Sequence, residues 1–272
     1  MDELSRMCIH TVTTKPWDIE TSIDEYARAG AGGITVWRDA LQGRSIADVR
    51  RRVADAGLSI VSTCRGGFFP SVEPSKRQAA LAENREVIAE AAELGAPLVV
   101  LVCGADPKQS LDDSRAQIVD AIAELAPEAE RAGVKLAIEP LHPMYADAKS
   151  AINTMKSAND AAERIGSSAV GVAVDVYHIW WDPDLEKEIA RCGELGKIFA
   201  FHVCDWRVPT RDFLLDRGLM GEGCIDIPKI RGRVEQAGFN GFVEVEIFST
   251  EYWSGDQSEF LGRIVEAFKM HV

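Results

Sequence analysis

Four residues of types that bind metals stand at or near the ends of short apolar runs. They are Glu139 in VKLAIEP, Asp175 in VGVAVDV, His202 in FAFHVCDW and Glu246 in FVEVEIF. Three carboxylates with one imidazole suit a borderline-hard divalent ion, Mn²⁺ first, with Mg²⁺, Co²⁺ or Zn²⁺ as the alternatives; a thiolate-rich set would be softer. Taken singly, each acid reads equally well as a helix cap or salt-bridge partner, and the histidine as a satisfied core imidazole. Clustered on one rim without a cation, the carboxylates would repel one another strongly. One divalent metal ion held by Glu139, Asp175, His202 and Glu246 is therefore expected. Glu244 alternates with valines beside Glu246, so it faces the same side of its strand one layer deeper. Its partner is not evident from the sequence.

Elements in strict alternation must position these groups. Eight β-branched, apolar runs fall at residues 8–12, 33–37, 58–64, 98–104, 134–140, 170–176, 198–206 and 242–248. Runs this apolar suit parallel strands covered by helices. Amphipathic helical patterns occupy 19–29, 46–56, 74–94, 111–132, 157–165, 185–195, 227–237 and 259–268. Gly30, Gly57, Gly95, Gly133 and Gly238 sit where left-handed helix caps are expected, each shortly before the next strand. Eight strand–helix units favour a closed α/β barrel, a single (β/α)₈ TIM barrel domain over residues 1–272. The first run leads into HTVTTKPW, where an open nucleotide-binding sheet would more often carry a glycine-rich phosphate loop. In such a barrel the active site lies at the C-terminal strand ends, which is where the four candidate ligands fall.

Composition narrows the partners. With 43 acidic against 30 basic residues the formal net charge is −13, which disfavours nucleic acid and, more weakly, an anionic membrane surface. Six dispersed cysteines without a C-x-x-C pair read as reduced thiols, and the acidic, polar start lacks the pattern of a signal peptide. A cytoplasmic location is the resulting expectation. Cys64 and Cys204 are expected to line a pocket rather than act as nucleophiles, since no activating histidine is assigned to either.

The segments LAIEPLHP, VGVAVDVYH, FAFHVCDW and GFVEVEIF resemble the xylose-isomerase-like barrel superfamily, the sugar phosphate isomerase/epimerase group. The resemblance covers nearly the whole chain. It implies one divalent metal on Glu139, Asp175, His202 and Glu246, with Glu139 and Glu246 moving a proton on opposite faces of a keto sugar. His178, three residues after the metal aspartate, takes the place of a substrate-binding histidine; the epimerases also place an arginine on substrate shortly after the strand-seven histidine, where Arg207 and Arg211 are both nearby but out of register. The stretch at 221–227 resembles a family loop. Two features depart from the epimerases: Tyr145 stands where they carry an acid, and His142 in EPLHP adds a candidate base. EPLHPMY, DVYHIWWDP and HVCDWRVPTRDFLLDRGLMGEG also resemble the catalytic subunits of C-glycoside deglycosidases, which act on 3-keto-glycosides with a small second subunit.

The shared difficult step in these reactions is removal of a proton next to a carbonyl, with a metal polarising that bond and a carboxylate or imidazole taking the proton. The expected activity is a metal-dependent isomerase or epimerase of a keto sugar or related polyol, with a carbon–carbon lyase acting on 3-keto-glycosides as the alternative. Catalytic roles fall to Glu139, Glu246 and His142; substrate contacts to His178, Trp180, Arg207 and His10. Trp180 and Trp181 read either as a stacking lid or as a subunit contact. Arg38 and Arg65 could hold a phosphate or hydroxyls, or make only salt bridges. The expected partners are a small sugar or glycoside and either further copies of the chain or a small second subunit. Two other classes are weighed: a three-zinc endonuclease, for which five histidines are too few, and a barrel that binds a sugar or partner without turnover.

Overall fold

A computed structural model describes residues 3–272; Met1 and Asp2, the start of the acidic N-terminal segment, lie outside the described residues. Eight parallel strands close into a barrel: β1 (Met7–His10), β2 (Gly33–Trp37), β3 (Ser59–Gly67), β4 (Leu98–Val102), β5 (Lys135–Ile138), β6 (Val170–Asp175), β7 (Ile198–Val203) and β10 (Val243–Val245). Each pairs with its neighbour in sequence order, and β10 closes on β1 with Ile9 opposite Val245. A separate antiparallel ribbon, β8 (Asp205–Trp206) with β9 (Arg217–Gly218), stands over the C-terminal end. The run expected at 198–206 is thus two elements. It breaks at Cys204, where the chain leaves the barrel sheet to pair with β9.

The helices are α1 (Ile19–Arg28), α2 (Ile46–Asp55), α3 (Pro74–Leu94), α4 (Leu111–Ala132), α5 (Met155–Ile165), α6 (Val176–Ile179), α7 (Leu185–Glu194), α8 (Ile227–Gln236), α9 (Thr250–Trp253) and α10 (Gln257–His271). The apolar stripe of α1 shows how they dock: Ile19, Ile23 and Tyr26 lie on one face and are fully buried against the sheet. The Tyr26 hydroxyl donates to the carbonyl of His10 at 3.2 Å, fixing the end of β1. Cap chemistry sets the boundaries. Thr154 and Ser157 form a reciprocal capping box that starts α5 two residues before the expected position. Asp256 accepts from the N–H groups of Ser258 and Glu259 and starts α10 likewise. Left-handed glycines follow α3 and α4 at Gly95 and Gly133.

β3 runs longer than its apolar stretch because its pairing with β4 shifts register between Cys64 and Gly66. At Gly67, φ is +114° and a Cβ would lie 1.9 Å from the carbonyl oxygen of Val102. Only glycine allows this approach. The irregularity carries Arg65 to the mouth of the barrel.

Candidate metal centre and cavity

The strand ends bring the four candidate ligands together. Glu139 follows β5 directly, Asp175 is the last residue of β6, His202 lies in β7 opposite Glu244, and Glu246 follows β10. One ligand atom from each of the four lies within 4.8 Å of the others, and all four side chains are buried. Their hydrogen bonding is incomplete in an informative way. Among the described residues, Glu139 Oε1, Asp175 Oδ2 and both ring nitrogens of His202 have no hydrogen-bond partner. Glu139 Oε1 is 3.1 Å from His202 Nδ1, yet the two are not aligned to bond each other. Buried atoms of this kind are costly unless something satisfies them. Carboxylate oxygens and an imidazole nitrogen facing a common point are the donor set of a divalent cation. The residues present fit such an ion.

The surroundings tune each group. Asp175 Oδ1 accepts from the Tyr177 N–H at 2.8 Å, capping α6 and leaving Oδ2 facing the centre. Burial pushes the Asp175 carboxyl up to about 7 against the pull of Arg217, so this acid is short of positive charge. Burial would raise Glu246 too, but the Arg217 guanidinium, with His10 behind it, holds that carboxyl well below its ordinary value. Glu246 therefore stays ionised.

Arg217 is the residue that the sequence did not single out. It projects from β9, is buried, and donates to Glu246 Oε2 at 2.7 Å. It also lies 3.5 Å from Asp175 Oδ2 and 3.3 Å from His178 Nε2. Tyr177 and Phe248 sandwich its guanidinium at 4.3 and 4.8 Å. The ribbon holds it there, with the Arg217 N–H bonded to the Phe248 carbonyl. The available signal was faint: an arginine beside Gly218 in the segment leading to the 221–227 loop.

Below the quartet, Glu244 finds partners on three other strands. His10 Nε2–H donates to it at 3.1 Å, Thr35 Oγ1 at 2.6 Å and Ser62 Oγ at 3.2 Å. The Trp37 indole nitrogen and Glu246 Oε1 both approach His10 Nδ1, at 3.2 and 3.1 Å; burial would lower the His10 ring, but its hydrogen bonds to Glu244 and Glu246 push it up to about 9.

A cavity of about 240 Å³ opens above the four ligands. Glu139, Glu246, His178 and Arg217 form its polar floor; Trp37, Phe68, Leu141 and Phe248 supply an apolar wall. Burial, then Arg217, pushes His178 well below its ordinary value, so the ring is neutral. Leu214 closes one side, on a loop anchored where the Tyr145 and Tyr177 hydroxyls both donate to the Phe213 carbonyl at 2.8 and 2.9 Å. Tyr145, Cys64 and Arg65 also border the space. Burial raises the Cys64 thiol well above its usual range, which does not suit a nucleophile.

Other expected contacts lie elsewhere. Arg207 is engaged by Asp216, Glu222 and Glu251 at 3.3, 2.9 and 3.0 Å, outside the cavity wall. Trp180 leans on Trp206 and borders a different surface cleft with Asp182 and Cys224. His142 packs on Trp181 and Trp206 and reaches the site only through its backbone N–H, which donates to His178 Nδ1 at 3.3 Å. His10 is fully buried beneath Glu246, so it meets the carboxylates rather than the cavity. Cys204 is buried off the cavity wall, and Arg38 pairs with Glu90 at 2.7 Å. For Arg207, Trp180, His142 and Arg38 the segment after the strand end turned the side chain away, whereas His10, the last residue of β1, is placed by the strand itself.

A sequence model of the xylose isomerase-like TIM barrel family matches residues 23–264. The chain belongs to that family. Within the family's fold it is 43% identical to protein SMc04130 from Sinorhizobium meliloti 1021, with a TM-score of 0.94 over 98% of both chains. It is 27% identical over 198 residues to an inosose isomerase from Halalkalibacterium halodurans, covering 68% of this chain and 65% of that protein. The chain thus matches somewhat less than two thirds of that relative's length. The IolI protein, whose crystal structure holds a zinc atom, superposes with a TM-score of 0.84 at 22% identity over 96% of both chains, a likeness of fold. Among the described residues no helix is long and apolar enough to cross a membrane.

Proposed function

We propose that this chain is a divalent-metal-dependent isomerase or epimerase that removes a proton next to the carbonyl of a keto sugar or related polyol. The observation that carries the proposal is the set of buried ligand atoms on Glu139, Asp175 and His202, unpartnered among the described residues, that face one point beneath a cavity open at the barrel mouth. Glu139, Asp175, His202 and Glu246 would hold the ion, Mn²⁺ being the first candidate and Zn²⁺ the one that the IolI structure recommends. When bound, such an ion supplies Lewis acidity to a keto oxygen and its neighbouring hydroxyl.

The chain's own groups do the rest. Glu139 and Glu246 come from strand ends separated by β6 and β7, so their carboxylates reach a flat carbon centre from different sides. One takes the proton and the other can return it, which yields an epimer. Arg217 keeps Glu246 ionised and offers its guanidinium to oxygen atoms gaining charge. His178, neutral and directed by the His142 N–H, presents an imidazole to a substrate hydroxyl. The apolar wall excludes water from the reacting carbon.

The test is metal analysis of purified protein, followed by chelation, reloading with Mn²⁺ or Zn²⁺ and incubation with ketohexoses and inososes in deuterated water. Near-stoichiometric metal and deuterium in recovered substrate are the expected results. No exchange with any keto compound, whatever the metal, would remove the reading. The apolar wall of Trp37, Phe68 and Phe248 favours a second reading, a carbon–carbon lyase on 3-keto-glycosides, in which the wall packs an aglycone. Turnover of a 3-keto-C-glucoside alone would select it.

A further inference from the structure

We infer that the substrate carries an anionic group, a phosphate or a carboxylate, which Arg65 and Lys149 receive on the side of the cavity away from Glu246. This rests on the proposed function and names the class of substrate within it. Three carboxylates of the quartet, Glu139, Asp175 and Glu246, are answered by a dication and the Arg217 guanidinium. Glu244 is answered from below by His10, Thr35 and Ser62.

Two further cations border the same cavity, Arg65 from the irregular end of β3 and Lys149 from the loop after β5. Among the described residues neither has a carboxylate within ion-pair distance, although the chain has 43 acidic residues to offer. Arg65 lies over the Phe68 ring at 4.3 Å and Lys149 over the Tyr145 ring at 4.7 Å. Both aromatic faces hold a cation in place without neutralising it. Asp212 attracts Lys149 without pairing with it, and its Oδ1 accepts from the Leu214 and Leu215 N–H groups. Burial lowers Lys149, and Arg217 and Arg65 add repulsion. Three cations thus border one apolar-walled space, and Arg217 and Arg65 both repel Lys149 across it. An anion there relieves all three. A neutral polyol would leave two unpaired charges facing it.

The test uses the metal-loaded full chain and the variants Lys149→Met and Arg65→Met, whose apolar stems keep most of the packing. Calorimetric titration with inorganic phosphate and with a four-carbon sugar acid reads the anion site directly. Both anions are expected to bind, about tenfold more weakly in each variant, as losing a charge-assisted hydrogen bond implies. Exchange kinetics then compare matched pairs: a ketopentose with its 5-phosphate, and a ketohexose with the corresponding hexulosonic acid. The anionic member should be favoured in kcat/KM, and Lys149→Met should shrink that preference about tenfold through KM. Preference for the phosphate or for the carboxylate distinguishes the two sources. Equal or better turnover of the neutral members, with no anion binding, overturns the inference and leaves the proposed function standing. Anion binding that the variants weaken, with no exchange on any keto compound, leaves the anion site standing and overturns the proposed function. Thermal melts of the variants check that they fold.

Discussion

Glu244 and Glu246 sit two residues apart on one side of one strand, yet they live in opposite circumstances. Glu244, in the lower layer, is bonded by His10, Thr35 and Ser62 from three other strands. The layer above, where Glu246 meets Glu139, Asp175 and His202, holds several polar atoms that nothing among the described residues satisfies. Burial is equal in the two layers, so burial alone does not mark a site. Unspent bonding capacity does. A buried acid with its full set of donors is part of the core, whereas a buried group left wanting points to a missing partner.

Perturbing the upper layer should have the largest effect. Asp175→Asn keeps the cap on α6 but removes the charge facing the ion, so it should empty the site and lower exchange activity about 10³-fold, the scale of losing a preorganised electrostatic group. Metal analysis and deuterium incorporation measure both. Retained metal with retained activity would erase the distinction between the layers.

The lower layer should answer in stability. Glu244→Ala leaves three buried donors without an acceptor and should cost about 3 kcal/mol, while Glu244→Gln, which retains an acceptor, should cost roughly 1 kcal/mol. Urea unfolding of metal-free protein reads the difference. Equal costs for the two substitutions would show that packing, not bonding, holds that layer.

Arg217 connects the upper layer to the cavity. Arg217→Met preserves the stem between Tyr177 and Phe248 and should lower kcat/KM about 10²-fold with metal retained. Loss of the metal instead would recast the arginine as a support for the ligands. The two layers should also separate on chelation. Metal removal should lower the melting temperature of the natural chain by about 5 °C, the size of a few kcal/mol of ligand linkage in a chain this long, and leave Asp175→Asn nearly unchanged.

The smallest effect is expected from residues off the cavity. Arg207→Met removes a partly exposed guanidinium shared among Asp216, Glu222 and Glu251 and should cost no more than about 1 kcal/mol of stability, with activity within about threefold of the natural chain. A larger loss of activity would bring the 207–216 loop into the site.

The alternation of apolar runs with amphipathic helices determined the barrel, because a parallel strand covered on both faces reads as a near-continuous apolar run. The same physics made Glu139, Asp175, His202 and Glu246 visible: side chains on a strand alternate with a fixed period, so position along the run sets both height and facing. Tertiary structure alone decided the rest. Which donors meet Glu244 depends on the register between β10, β1, β2 and β3, and no local pattern encodes that pairing. Where Arg217, His142, Trp180 and Arg207 point depends on loops and a ribbon beyond the strand ends, whose path follows long-range packing. Arg65 and Lys149 meet across the cavity for the same reason, 84 positions apart in the chain and brought together only by closure of the barrel.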